Sequence, residues 1–365
     1  MGATATSPAS PSRPRLPVRL VATDLDGTLL RPDGTVSQRT VDAVQAAQRA
    51  GLHVIPVTGR PPRVTWDVAK RAGLGPLGVC SNGAVVVDVR AMQILELETV
   101  AAEVATRLVT LLRQRVPGVV FAIDEMESFT HETGFMDPEW YWDEMTGQVD
   151  DIIQAVSPMC IKLIVRRPGW PATTLLAELR REVAEKGHVT SSGLDWVEIG
   201  APGISKAYAL ERICHRMGIG VGEVLAIGDN HNDLTVLAWA GRAAAPANAI
   251  PEVLATVDQV VPSTQADGVA PLLEDLAAET TARQASRGPR RPPGAHRQTS
   301  HRQAAPFIAP PIGRLRVPGP GRLRARWRWR PRRRPAPCAP GRDVSPERPG
   351  AVLRRRRRGP RLRSG

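Results

Sequence analysis

The chain has 365 residues and a formal net charge of +13, and the charge is divided unevenly along it. Residues 281–365 hold 25 Arg, no Lys, one Asp and one Glu, a net charge of +23, which leaves −10 on the preceding 280 residues. No apolar run reaches the roughly 18 residues of a membrane span, and the four cysteines are far apart, without zinc-ligand spacing. These features argue against a membrane protein, a disulfide framework or a structural zinc site, and they favour a cytoplasmic protein.

The two ends of the chain differ from its body. Residues 1–17 are rich in Ser, Pro and Ala and lack the apolar region of a secretory signal, so we predict a disordered arm. Proline makes up 15 of the 85 residues in 281–365, and hydrophobic periodicity is lost there. Such a segment buries too little apolar surface to offset its chain entropy, so a disordered Arg/Pro-rich tail is predicted.

The body opens with strands and helices in alternation. The predicted strands are 18–24, 52–58 and 77–81, and Ser37 and Gly51 bracket the first predicted helix. After residue 200 the alternation returns, with a helix at 205–217, a strand at 223–228 and a helix at 232–240. Continuously apolar strands alternating with helices predict an α/β fold with a doubly wound, Rossmann-like parallel sheet, formed by residues 18–83 and 200–280.

The regular alternation of strands and helices is interrupted between these two stretches. Strand-like segments lie at 85–87, 119–123 and 161–165, and helix-like segments lie at 99–114 and 171–185. We therefore predict that residues 84–199 form an inserted α+β domain with a mainly antiparallel sheet.

Four short polar segments follow predicted strands or begin predicted helices. They are Asp24-Leu25-Asp26-Gly27-Thr28, Thr58-Gly59-Arg60, Ser205-Lys206 and Gly228-Asp229-Asn230-His231-Asn232-Asp233. Ligands of open α/β sheets bind at the carboxyl ends of the strands. Paired carboxylates there suit Mg²⁺, and a hydroxyl with a glycine amide suits phosphate oxygens. A lysine in the first turn of a helix opposes the helix dipole, which indicates a bound anion.

Each segment by itself also has an ordinary structural interpretation. The first is compatible with a calcium loop or a solvated turn, and the second with a helix cap. Lys206 on its own is compatible with a surface position, and residues 228–233 with a polar turn. The occurrence of all four in this order, each at a strand end or a helix start, favours a common site.

At these residues the chain resembles the haloacid dehalogenase-like hydrolases. The four segments match the four motifs of that superfamily in order. Secondary landmarks resemble its Cof-type branch, namely Ser81-Asn82-Gly83-Ala84, Gly203-Ile204-Ser205-Lys206 and Asp267-Gly268-Val269-Ala270. The insert matches the type-2 cap of that branch in position and size. One departure is Ala245-Pro246-Ala247-Asn248-Ala249, where the family usually has Met-Gly-Asn-Ala.

The resemblance implies a Mg²⁺-dependent phosphatase that works through an aspartyl phosphate. Asp24 is then the nucleophile and Asp26 the general acid and base, while Thr58, Gly59 and Asn232 bind phosphate oxygens. The implied metal ligands are Asp24, the Asp26 backbone carbonyl and Asp229, and Asp233 orients the metal's water or Lys206. Lys206 adds positive charge beside the phosphate. An acid at position 26, where transport ATPases carry threonine, favours a phosphatase or a phosphomutase.

The expected substrate is a small phosphorylated metabolite, in particular a sugar phosphate. Candidate substrate contacts are Arg60, Asn82 and the cap segment 124–142, whose aromatic residues are also suited to a cap core. A phosphomutase or a specialised sugar-phosphate phosphatase remains an alternative. No membrane partner is expected, and the sequence leaves the oligomeric state open.

The tail permits two further hypotheses. Arginines between 322 and 334 alternate with Trp327 and Trp329, a composition that neutralises phosphates and stacks on bases, so nucleic-acid binding through 281–365 is an alternative function. A tail of Arg, Pro, Gly and Ala without Lys is also typical of a shifted reading frame in a GC-rich gene.

Overall fold

The computed structural model describes residues 16–136 and 146–286. Almost all of the predicted arm and tail lie outside the described residues, as do the aromatic residues 140–142 of the insert. The hypotheses on nucleic-acid binding and on a shifted reading frame therefore concern a part of the chain outside this description.

The helices and strands agree in order with the predicted elements. The helices are α1 (Gln38–Arg49), α2 (Pro62–Ala72), α3 (Ala102–Arg115), α4 (Ala172–Val183), α5 (Lys206–Met217), α6 (Leu234–Trp239), α7 (Pro251–Leu254) and α8 (Val269–Ser286). The strands are β1 (Leu20–Thr23), β2 (His53–Pro56), β3 (Leu77–Cys80), β4 (Val85–Asp88), β5 (Gln93–Leu97), β6 (Val120–Asp124), β7 (Phe129–Glu132), β8 (Thr146–Val149), β9 (Lys162–Arg166), β10 (His188–Thr190), β11 (Val197–Gly200), β12 (Val224–Ile227), β13 (Arg242–Pro246) and β14 (Gln259–Val261). Short single turns lie at Leu25–Leu29, Ser81–Gly83, Ile152–Ala155, Ala184–Lys186, Val221–Glu223, His231–Asp233 and Thr264–Ala266.

Local sequence signals define several helix ends. Ser37 accepts a hydrogen bond from the Thr40 amide at the start of α1, and Ser205 accepts one from the Tyr208 amide at the start of α5. Helix α5 ends at Gly218, whose φ of +61° is a left-handed conformation that glycine adopts without strain. These caps fix where α1 and α5 begin, and α5 carries Lys206 as its first residue.

The central sheet is parallel throughout. Its strand order is β14-β13-β12-β1-β2, so β1 lies between β2 and β12. The strands are apolar along their length because helices cover both faces, which places separate buried clusters on the two sides of the sheet. The predicted α/β fold with a doubly wound parallel core is confirmed.

Strand β3 extends this core through a parallel bridge between Val57 and Val79. Strands β4 and β5 then fold back as an antiparallel hairpin on β3, giving the three-stranded order β3-β4-β5. Val85 and Val87 pack in the same cluster as the helices on one face of the central sheet. Residues 85–97, which follow the predicted boundary at 84, are thus paired and packed with the core strands.

The rest of the predicted insert forms a six-stranded sheet with the order β10-β11-β9-β6-β7-β8. All its pairs are antiparallel except β7 with β8. Helices α3 and α4 cover one face, where side chains such as Phe121, Leu163 and Val165 are fully buried. The opposite face carries Asp124, Lys162 and Glu198, all of them buried charged residues.

Helix α8 continues to Ser286, so the first six residues of the predicted tail are helical. The Gln284 side-chain amide donates to the Ala50 carbonyl, which ties this last stretch to the core, and the Thr281 hydroxyl donates to the Ala277 carbonyl within α8. None of the helices within 16–136 and 146–286 is both long and apolar enough to cross a bilayer.

Candidate active site

Neighbouring parallel strands bring the first and fourth motifs together. Strand β1 pairs with β12 in a register that sets Thr23 against Ile227, and the Asp24 amide donates to the Ile227 carbonyl at 2.9 Å. Asp24 and Asp229 therefore follow their strands at the same edge of the sheet, and both are buried. A strand-end site at this edge follows from the order of the two strands.

Three carboxylates converge there. One oxygen from each of Asp24, Asp229 and Asp233 lies within 4.8 Å of the others. Asp233 is held by its own turn, because Oδ2 accepts from the amides of Asp229 and Asn230 at 3.0 Å each. Thr28 donates to Asp229 Oδ1 at 2.6 Å, which fixes the second acid from the first motif.

Glycine is required where the first motif passes this cluster. Gly27 has φ of +74°, and a Cβ there would lie 2.2 Å from Asp229 Oδ2. The Gly27 carbonyl accepts from Asn248 Nδ2 at 2.7 Å. Asn248 belongs to the segment that departs from the family pattern, so Pro246 leaves this contact with the first motif intact.

Lys206 enters the cluster from α5. Its side chain is fully buried, with Nζ 3.0 Å from Asp24 Oδ1 and 2.6 Å from Asp233 Oδ1. Burial by itself lowers the pKa of Lys206, but the carboxylates of Asp233 and Asp24 outweigh it, so the pKa is raised and the ammonium is kept.

One ammonium does not neutralise three carboxylates. Burial raises the pKa of Asp24 to about 7 from 3.8, and it also raises the pKa of Asp229 well above that value. Lys206 opposes both shifts, whereas the neighbouring acids add to them. With all groups ionised the cluster carries a charge of −2, so its electrostatics favour a bound divalent cation.

The donor set fits Mg²⁺. All three acids are at most 7 % exposed, and Asp24 Oδ1 receives no well-directed hydrogen bond from any described residue. Asp233 uses both oxygens within the protein, so Asp24 and Asp229 have the freer oxygens. Hard carboxylate oxygens at an octahedral cation are the chemistry that Mg²⁺ prefers.

Asp26 lies apart from the three acids. Its side chain is half exposed and forms a bidentate pair with Arg60, at 2.6 Å to Nε and 2.5 Å to Nη2. Arg60 is thus brought to the first motif rather than left in solvent. The paired planar groups fix the direction of the Asp26 carboxylate at the mouth of the site.

The second motif and Asn82 meet Asn232 across the site. The Thr58 amide donates to the Val79 carbonyl, and its hydroxyl accepts from the Arg60 amide. Asn232 Nδ2 donates to Asn82 Oδ1 at 3.1 Å. A Cβ on Gly59 would lie 2.9 Å from Asn82 Oδ1 and 3.2 Å from Asn232 Nδ2. The structure therefore places Thr58, Gly59, Asn82 and Asn232 together.

Asn82 differs from the expected substrate contact. It is 6 % exposed, and both ends of its amide are engaged, since Nδ2 donates to Glu198 Oε2 at 2.6 Å. The sequence analysis did not predict Glu198 and its partner Lys162 as part of the site. Both residues lie in strands where alternate side chains point to opposite faces, so that a charged residue faces away from the apolar side that the helices cover. This alternation is the signal that could have identified them.

Comparisons with known proteins agree with this geometry. A family model described as haloacid dehalogenase-like hydrolase matches residues 21–273. Pyridoxal phosphate phosphatase YbhA of Escherichia coli is 27% identical over 278 residues, which cover 69% of this chain and 96% of the relative. The 5-amino-6-(5-phospho-D-ribitylamino)uracil phosphatase YcsE of Bacillus subtilis is 26% identical over 263 residues, covering 72% and 96%.

Solved structures show the same fold. A haloacid dehalogenase-like hydrolase from Bacillus subtilis superimposes with a TM-score of 0.62 at 23% identity, over 70% of this chain and 99% of that one. SMU.1108c from Streptococcus mutans gives a TM-score of 0.63 at 20% identity, over 72% and 99%.

A doubly wound sheet with an acidic strand-end cluster around a buried lysine is the architecture of a phosphoryl-transfer hydrolase. The chain belongs to the haloacid dehalogenase-like hydrolases, and the predicted Cof-type resemblance is confirmed. The predicted enzyme class, phosphoric monoester hydrolase, is also confirmed by relatives that are themselves phosphatases.

Proposed function

We propose that this enzyme is a Mg²⁺-dependent phosphatase that hydrolyses a small phosphorylated metabolite through an aspartyl phosphate on Asp24. The proposal rests on one observation, which is that the buried side chains of Asp24, Lys206 and Asp229 lie close together at one edge of the parallel sheet. The predicted division into a core (18–83 and 200–280) and a cap (84–199) is part of this proposal, except that residues 85–97, which pair with β3, belong with the core.

Asp24 acts as the nucleophile. A bond from its carboxylate oxygen to phosphorus forms while the bond from phosphorus to the leaving oxygen breaks. The ionised form is required, and Lys206 at 3.0 Å favours it against the effect of burial. Asp24 and Asp229 would hold Mg²⁺ together with the Asp26 carbonyl, and the bound ion would offset the repulsion between carboxylate and phosphate.

Asp26 acts as general acid and then as general base. It gives a proton to the leaving oxygen, and it takes one from the water that attacks phosphorus of the aspartyl phosphate. The second step releases phosphate and regenerates Asp24. The half-exposed side chain of Asp26, next to the buried acids in the chain, supports this assignment because a leaving oxygen or a water can reach it.

Thr58, Gly59, Asn232 and Lys206 bind the phosphoryl oxygens, and Arg60 contacts the substrate. Asp233 is best assigned to orienting Lys206, since the two are 2.6 Å apart. The six-stranded sheet of the insert covers the site from the other side, which excludes water and selects the leaving group.

Replacement of Asp24 by Asn tests the proposal. The variant keeps the size of the side chain and loses the nucleophile, so turnover of an aryl phosphate with Mg²⁺ is expected to fall by about 1,000-fold or more. Undiminished turnover in this variant refutes the mechanism.

A panel of phosphorylated metabolites then tests the substrate class. Sugar phosphates are the expected substrates, and pyridoxal phosphate belongs in the panel because YbhA is named for it. We propose a cytoplasmic location from the buried, unpaired thiols of Cys80, Cys160 and Cys214, which are typical of a reducing compartment.

A further inference from the structure

A continuous chain of buried hydrogen bonds links the six-stranded sheet to the phosphate loops. Lys162 Nζ donates to Glu198 Oε1 at 2.9 Å, and Asn82 Nδ2 donates to Glu198 Oε2 at 2.6 Å. Asn82 Oδ1 in turn accepts from Asn232 Nδ2 at 3.1 Å. All four residues are at most 6 % exposed, so water competes little for these bonds.

A second contact reaches the phosphate loop directly. Lys162 Nζ donates to the Gly59 carbonyl at 3.0 Å. The Gly59 carbonyl is thereby bound to the Lys162 ammonium of the insert. This contact keeps the carbonyl oxygen pointed away from the phosphoryl group that is proposed to bind at the Gly59 amide.

Lys162 and Glu198 share one face of their sheet. Strand β9 sets Lys162, Ile164 and Arg166 on this face, and the register with β11 places Glu198 opposite Ile164. The alternate residues of both strands pack under α3 and α4. Burying an ion pair costs free energy. Lys162 and Glu198 lie on the face opposite α3 and α4, so this pair does not pack in the apolar core under those helices.

The chemistry of Glu198 dictates the orientation of both amides. An ionised carboxylate only accepts hydrogen bonds, so Asn82 must present its NH₂ group to Glu198 and its oxygen to Asn232. Asn232 must then present its own NH₂ group. A reversed Asn82 amide would set its oxygen against the Glu198 carboxylate and its NH₂ group against that of Asn232.

We propose that Glu198 and Lys162 are positioning residues for phosphate binding. They act through Asn82, Asn232 and the Gly59 carbonyl, and so the insert helps to build the phosphate subsite as well as covering it. This inference rests on the proposed function of Asn232 and Gly59 as phosphate contacts.

Replacement of Glu198 by Gln provides the test. Gln offers one acceptor oxygen where Glu offers two, so either Lys162 or Asn82 loses its partner and meets an NH₂ group. With the full chain and Mg²⁺, we expect the KM for an aryl phosphate and the Kd for inorganic phosphate, measured by calorimetry, both to rise about tenfold. The kcat should change less, and Glu198→Asp, which keeps two acceptor oxygens, should recover most of the affinity.

Glu132→Gln is the matched control. Glu132 is a buried acid of the same sheet, paired with Arg113 and accepting from the Phe121 and Ile152 amides. Its replacement should lower the melting temperature without changing KM or the Kd for phosphate.

A lowered melting temperature in Glu198→Gln, with KM and Kd as in the wild type, overturns the proposal. If that variant fails to fold, the double variant Lys162→Met with Glu198→Gln removes one charge of each sign and should show the same rise in both constants. Because calorimetry needs no turnover, loss of phosphate affinity is distinguished from failure of the phosphatase assignment, which shows as an inactive wild type.

Discussion

Two clusters of buried charges, each built around a lysine, differ in their balance. With all groups ionised, the strand-end cluster carries a charge of −2; it consists of Lys206, Asp24, Asp229 and Asp233. The insert cluster is neutral and consists of Lys162, Arg63, Asp124 and Glu198. Both lie at the junction of the core and the insert, and their charged side chains are at most 10 % exposed.

The difference in charge balance distinguishes a cluster suited to binding a ligand from a cluster whose charges are paired within the protein. In the insert cluster every charge has a partner on the chain, with Arg63 2.7 Å from Asp124 and Lys162 2.9 Å from Glu198. In the strand-end cluster two negative charges are left over, and burial raises the pKa of Asp24 and of Asp229. A chain keeps such an excess at a functional site, where a ligand of opposite charge completes it.

The largest effect on activity is expected from Lys206, the lysine of the strand-end cluster. Lys206→Met removes the ammonium proposed to bind a phosphoryl oxygen, so kcat/KM for an aryl phosphate should fall by about 100-fold to 1,000-fold. Steady-state kinetics with saturating Mg²⁺ measures this. A variant within threefold of the wild type would show that Lys206 only supports the fold.

Loss of an acid should affect stability in opposite ways in the two clusters. Asp124→Asn leaves the buried charges of Arg63 and Lys162 undercompensated and should lower the free energy of unfolding by about 3 kcal/mol. Asp24→Asn removes an excess charge and should leave the stability of the metal-free protein at pH 8 unchanged or higher. Urea unfolding of both variants checks this, and equal destabilisation would remove the distinction between the clusters.

The strand-end cluster should also make Mg²⁺ binding depend on pH. The folded pKa of Asp24, about 7, lies above the unfolded value of 3.8. Its contribution to stability is therefore present below pH 3.8 and is lost as the pH rises through about 7 in the metal-free protein.

Stabilisation by Mg²⁺ should consequently be larger at pH 8 than at pH 5, by on the order of 2 kcal/mol. Thermal denaturation with and without the ion measures the difference. Asp24→Asn should reduce the pH dependence, and an equal effect of Mg²⁺ at both pH values in the wild type would contradict the account.

The strand-end cluster was predictable because its residues follow from local patterns. A buried apolar strand that ends in Asp24, and another that ends before Asp229, meet at one edge once the sheet is parallel. Ser205 as a helix cap places Lys206 in the first turn. The parallel topology then brings these distant segments together, with no detail of side-chain packing needed.

The insert cluster was not predictable in the same way. Lys162 and Glu198 meet only because β9 pairs with β11, and antiparallel register between distant strands is set by tertiary packing. Short polar strands such as β7 and β8 carry little periodic signal. The hairpin of β4 and β5 likewise joins β3 through pairing that apolar pattern alone does not specify.

The most direct test of the central claim is detection of a phosphoryl group on Asp24. In the proposed mechanism the Asp26→Asn variant lacks the base that activates water, so the aspartyl phosphate should accumulate during turnover of an aryl phosphate. The account predicts that mass spectrometry of the acid-quenched protein finds one added phosphoryl group on the peptide that contains Asp24. A phosphoryl group on another residue, or a reaction that proceeds with none on the protein, would contradict it.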